Sequence, residues 1–114
     1  MNDATLTRLA DELYSALRQR ESIKPLTERE PLLSLENAYA ISERLLQRRL
    51  NDGEHLVGKK IGVTSKAVQN MLNVHQPDFG YLTDAMVYSN EDAVPISTTL
   101  IQPRAEGEIA FVLK

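Results

Sequence analysis

The 114-residue chain contains no cysteine. It therefore has no disulfide framework, no thiolate metal site and no cysteine nucleophile, and its composition suits a reducing cytoplasm. Basic runs are also missing: thirteen Lys and Arg stand against sixteen Asp and Glu, giving a net charge of −3, and the aromatic side chains are four Tyr and two Phe. Such a composition gives no footing for nucleic acid as a partner. No apolar run approaches the roughly 20 residues that a spanning helix needs, and Met1-Asn2-Asp3-Ala4 does not begin a basic, then apolar, signal. The expectation is a soluble, untargeted, cytoplasmic protein with no membrane partner. At this length the chain makes one modest core and is short for an enzyme that encloses a substrate, so a fragment of a longer protein is expected.

Helical periodicity fills the first half. Leu6, Leu9, Ala10, Leu13, Tyr14 and Leu17 recur with charged residues between them, which predicts an amphipathic helix over residues 4 to 20 capped by Asn2 or Asp3. Pro25 and Pro31 interrupt the pattern, so Glu21 to Leu33 reads as a connector that wraps and not as a packed element. Ser34 offers the N-cap of a second helix carrying Ala38, Ile41, Leu45 and Leu46, and Gly53 can take the left-handed position after its end. Residues 1–53 thus form a helical N-terminal region.

Residues 54–114 turn to Val, Ile, Gly and Thr, with Pro77, Gly80, Asn90 and Pro95 as punctuation. The expected strands are Leu56 to Val63, Ala85 to Tyr88, Leu100 to Gln102 and Glu106 to Leu113, with a helix from Lys66 to Leu72 opened by Thr64 or Ser65. The fold class is α+β. Ile109-Ala110-Phe111-Val112-Leu113 is apolar on both faces, as in a strand inside a sheet. A chain ending there would leave that strand unpaired on one side, which again points to truncation.

Within Val57-Gly58-Lys59-Lys60-Ile61-Gly62, alternation puts Gly58, Lys60 and Gly62 on one face. Lys60 then projects from a face cleared of neighbours, either as a substrate-facing ammonium or as a surface lysine on a weak strand. The stretch fails the phosphate-loop pattern, having no lysine after Gly62. Pro77-Asp78-Phe79-Gly80 reads as a loop in which Asp78 serves as an acid or base, or bonds backbone amides in a turn. Its Asp-Phe-Gly is unaccompanied by any other kinase element. His55 and His75 have no second histidine at ligand spacing, so no zinc site is expected.

Glu106 and Glu108 lie two residues apart in an extended run, on one face and roughly 7 Å apart at Cα if a strand forms. Two hard oxygen donors would choose Mg²⁺ or Mn²⁺. The same pair also suits a solvated strand face, and Arg104, on the same face, is placed to neutralise it.

Together, the segments from Val57 to Gln69, from Gln76 to Asp84 and from Ile101 to Phe111 resemble the 2-oxopent-4-enoate (2-hydroxypenta-2,4-dienoate) hydratases of the fumarylacetoacetate hydrolase-like superfamily. The resemblance runs the whole chain, as the family's N-terminal part. It implies a mixed β-roll begun in residues 54–114, and a homo-oligomeric, Mg²⁺- or Mn²⁺-dependent enzyme of the meta-cleavage pathway for aromatic compounds. Its substrate would be a small 2-oxo or 2-hydroxy dienoic acid, hydrated to 4-hydroxy-2-oxopentanoate, with association with the family decarboxylase. It implies further that Glu106 and Glu108 are metal ligands, that Lys60 is the active-site lysine and that Asp78 lines the same pocket. A third acidic ligand would lie beyond Lys114, and the 114 residues alone would be inactive. Asn73 stands where relatives commonly carry glycine, and asparagine tolerates the left-handed conformation. Two other readings compete: a 4-oxalocrotonate decarboxylase of the same family, and a noncatalytic assembly fragment.

Overall fold

The computed structural model describes residues 1–114. Helix α1 (Asp3–Gln19) starts where the Asn2 side chain accepts the Thr5 amide at 2.9 Å, with Asp3 in its first turn and Arg18 in its last. Both charges complement the helix dipole. A short α2 (Leu26–Arg29) lies in the wrapping connector, and α3 (Leu35–Asn51) is capped by Ser34, whose Oγ accepts the Asn37 amide. Gly53 follows the end of α3 at φ +96°, a conformation glycine adopts without a steric penalty.

Helices α1 and α3 pack on each other around Leu6, Leu9, Ala10 and Ile41, with Leu9 wholly buried. The connector wraps but is also packed, contrary to expectation: Leu26 and Leu33 lie against this cluster, because the apolar stripe of two helices leaves a flank for them to cover. Ion pairs Arg48 to Asp11 and Arg44 to Asp3 run between the two helices outside the core.

Strand β1 (Leu56–Gly62) pairs antiparallel with β2 (Asp78–Thr83), in a register that sets Lys60 opposite Gly80 and Gly62 opposite Asp78. Between them comes α4 (Lys66–Leu72), opened by Ser65 accepting the Val68 amide. The buried Gln69 donates to the Val63 carbonyl at 3.0 Å, steadying a β-branched residue held at φ 55°. Asn73 closes α4 at φ 54°, in the left-handed region expected of it.

The odd-numbered face of the hairpin leans on α3: Phe79 stacks on Tyr39 at 4.6 Å and meets Tyr81 edge-on, with the Lys59 ammonium over both rings. A polar hub ties the hairpin's base to the helices. Glu54 accepts from Arg49 at 2.7 Å, from Arg18 at 3.0 Å and from the buried Thr83 hydroxyl at 2.6 Å. Asp52 beside it accepts from Tyr14 and Arg18.

Beyond β2 the expected strands do not form. Ala85 to Tyr88 begins in a 3₁₀ turn (Asp84–Met86), a short α5 (Ile96–Thr99) intervenes, and Leu100 to Gln102 is a bend. Glu106 to Leu113 has no ladder partner, so the sheet holds two strands and the second half is not mainly β. A strand is stabilised by a neighbour's backbone groups, and nothing in the chain supplies them here. Phe111 and Val112 are accordingly 85% and 94% exposed, not inside a sheet. What stands is a helical pair joined to one small antiparallel sheet. No helix is long and apolar enough to cross a membrane.

Candidate functional site

Three glycines shape the face that carries Lys60. Gly58 and Gly62 flank it along β1, and Gly80 faces it across the ladder. The Lys60 stem lies over Gly80, where an added Cβ would come within 3.4 Å of its Cγ. At Gly62 an added Cβ would meet Asp78 Oδ1 at 2.6 Å and Lys60 Nζ at 3.1 Å. The ammonium and the Asp78 carboxylate therefore converge on the space that Gly62 leaves empty. A larger residue at position 62 would push the ends of these two side chains aside.

Asp78 differs from its expected setting. It opens β2 rather than sitting in a loop, and it bonds no backbone amide, so the turn role is absent. Pairing opposite Gly62 brings it toward Lys60, a proximity that depends on register and not on sequence spacing.

The segment from Gln102 to Glu108 approaches this face without forming a strand. An open recess of about 610 Å³ is lined by Lys60, Gln102, Arg104, Glu106 and Glu108. Four even-numbered residues of the segment thus point the same way, the alternation of extended chain kept without a ladder. Glu106 and Glu108 share a side as expected, and Lys60 from β1 joins them. Gln102 is an addition that the two-residue periodicity, followed back through Arg104, already encodes.

Arg104 does not neutralise the two glutamates: it makes no ion pair within 4 Å and no hydrogen bond. Glu106 and Glu108 are exposed, their carboxylate oxygens free of protein donors. No group of three His, Cys, Asp or Glu side chains converges anywhere in the chain. Two carboxylates remain as the donor set. That set fits a hard divalent cation, which commonly takes one or two carboxylates and completes its shell with water and substrate oxygens.

The histidines stay outside the recess. His55 Nδ1 lies 3.0 Å from Asp84, which also accepts the His55 amide, so the pair clasps the open end of the hairpin. Those bonds, the backbone one foremost, hold the Asp84 carboxyl below its usual range. At the hub, burial alone would raise the Glu54 carboxyl, but donation from Thr83, Arg18 and Arg49 outweighs it and the net shift is downward. Asp52 is lowered by its bonds from Tyr14 and then Arg18. The hub was not foreseen from sequence, because its members are scattered from Tyr14 to Thr83.

No family model matches the chain. Among known proteins, it is 66% identical over 114 residues to a 2-hydroxypent-2,4-dienoate hydratase of Pseudomonas putida, covering all of this chain and 51% of that one. It is 58% identical to a 2-hydroxyhexa-2,4-dienoate hydratase of Comamonas testosteroni, over 90% of this chain and 39% of the relative. The chain thus spans about half, or less, of the curated relatives it matches. Among solved structures, the 4-oxalocrotonate decarboxylase of Pseudomonas putida G7, complexed with calcium and acetate, superposes with a TM-score of 0.72 at 26% identity. That superposition covers 75% of this chain and 33% of the decarboxylase. A second structure of that decarboxylase, complexed with magnesium and adipate, gives the same score and identity. Over its whole length, the chain resembles the N-terminal half of the 2-hydroxypenta-2,4-dienoate hydratases of the fumarylacetoacetate hydrolase-like superfamily.

Proposed function

We propose that this chain contributes to a hydratase of the meta-cleavage pathway for aromatic compounds, one that converts 2-hydroxypenta-2,4-dienoate to 4-hydroxy-2-oxopentanoate. The observation that carries this reading is the single recess lined by Lys60, Glu106 and Glu108, which come from separate parts of the chain. Residues 1–53 would form its helical region and residues 54–114 the first part of a β-roll catalytic domain, in a homo-oligomer. The hydratase names of the relatives support the reaction, and the calcium and magnesium held by the decarboxylase support a divalent metal.

Glu106 and Glu108 would hold Mg²⁺ or Mn²⁺. When bound, such an ion supplies positive charge to the carboxylate and 2-oxo end of the substrate, where negative charge develops. The rest falls to the chain's own groups. Ketonising the dienol takes a proton from its 2-hydroxyl and delivers one to C5, after which water adds its oxygen at C4 and a proton reaches C3. Lys60 and Asp78, whose side-chain ends both lie beside Gly62, would provide a proton donor and an acceptor. The glycine-lined face leaves room for substrate to approach the ammonium.

A chimera tests the reading. Replacing the matching half of the Pseudomonas putida hydratase with this chain is expected to preserve loss of the dienol absorbance and yield 4-hydroxy-2-oxopentanoate. Turnover of 4-oxalocrotonate alone would overturn the choice in favour of the decarboxylase. The 114-residue chain alone is expected to be inactive, since it spans about half the length of the Pseudomonas putida hydratase.

A further inference from the structure

Arg104 differs from the other arginines. Seven of the eight bond a carboxylate or a carbonyl, from Arg8 on Glu30 to Arg49 on Glu54 and Arg20 on the Leu100 carbonyl. Arg104 alone has no acceptor, although Glu106 and Glu108 follow it on the same side and line the same recess. Its guanidinium is left with all five donors free. Pro103 restricts the backbone just before it, and the alternation from Gln102 to Glu108 turns it toward Lys60.

The other cation of the recess is placed differently. Lys60 lies over Gly80 with its ammonium directed to the space beside Gly62 that the Asp78 carboxylate also borders, though the two make no ion pair within 4 Å. A planar guanidinium fork matches a carboxylate through two parallel hydrogen bonds, whereas an ammonium is a point charge. We infer that Arg104 is the carboxylate anchor of this recess, taking the carboxylate of a small organic acid as a bidentate pair and orienting it between Lys60 and the two glutamates. The inference rests on reading the recess as a 2-oxo acid site. It adds a specificity-determining residue to that site and leaves Lys60 free of the anchoring role.

The test is binding, followed by NMR shifts of this chain with Mg²⁺ and with EDTA. Three probes are used: 2-oxopentanoate, which has no double bond to hydrate; pentanoate, which lacks the 2-oxo group; and 2-pentanone, which lacks the carboxylate. Position 104 is exposed and outside every regular element, so R104Q and R104K are expected to keep the parent's far-UV circular dichroism. R104Q is expected to lose about tenfold in affinity for 2-oxopentanoate, R104K to regain part of it and K60Q to lose less than R104Q. 2-Pentanone is expected not to bind. Unchanged affinity in R104Q overturns the inference, as does absence of carboxylate binding by the parent chain. If R104Q binds normally while an E106Q/E108Q double variant does not, Arg104 is excluded and the 2-oxo acid site survives. If pentanoate binds as well as 2-oxopentanoate and R104Q loses both, the anchor stands and the 2-oxo acid reading falls.

Discussion

The helical pair and the segment from Ile101 to Lys114 contrast within one chain. Both carry a regular apolar pattern, yet α1 and α3 bury Leu9 and Ile41 while Phe111 and Val112 stay bare. An α-helix satisfies its backbone from within, so the apolar stripe needs only a second helix to cover it, and the connector delivers one. An extended segment relies on a neighbouring strand for the same purpose. Without one, an extended apolar run gives each side chain a direction and no more.

The largest effect belongs to Leu9→Ala, expected to lower unfolding free energy by about 3 kcal/mol through the cavity left between the helices. Chemical denaturation followed at the helical signal checks it. Glu54→Gln comes next, at about 2 kcal/mol, because the variant no longer offers a charged acceptor to Arg18, Arg49 and Thr83. If it unfolds no more easily than the parent, the hub does not bind the hairpin to the helices.

Acid should act through the same hub. The folded-state Glu54 carboxyl is depressed below its ordinary value of 4.5, so its contribution to stability is complete above that value and is lost as pH falls through the depressed one. Melting temperature is expected to decline below pH 4.5, and Glu54→Gln should flatten that decline.

The smallest effects on stability lie in the last segment. Phe111→Ser should shift unfolding free energy by no more than about 0.5 kcal/mol, since the residue is 85% exposed. An equally small shift is expected for Glu106→Gln with Glu108→Gln, but that double variant should abolish Mn²⁺-induced broadening of NMR signals from Lys60 and residues 102–108. Broadening that survives the substitutions would remove the two glutamates from the metal site.

Legibility in the sequence followed the range of the interactions. The Ser34 and Ser65 caps, the turn at Gly53 and the left-handed Asn73 are local, and each is where spacing placed it. The expected strands at Ala85 to Tyr88 and Glu106 to Leu113 failed because pairing is not a local property. Among the candidate site residues, Lys60 was legible from the glycines beside it, and the shared side of Glu106 and Glu108 from their two-residue spacing. The placement of Asp78 was not, since a register shift of one residue would have turned it to the other face.

Side-chain periodicity and backbone preference act within a few residues, so the residues alone specify two amphipathic helices, their cap positions to within one residue and the glycine-cleared face of β1. Tertiary contacts set the rest: Asp78 and Lys60 both reach the space beside Gly62, Glu54 gathers Arg18, Arg49 and Thr83, and Arg104 is left unpaired beside two glutamates. Those contacts join residues far apart along the chain, and which charges meet depends on where folding brings them.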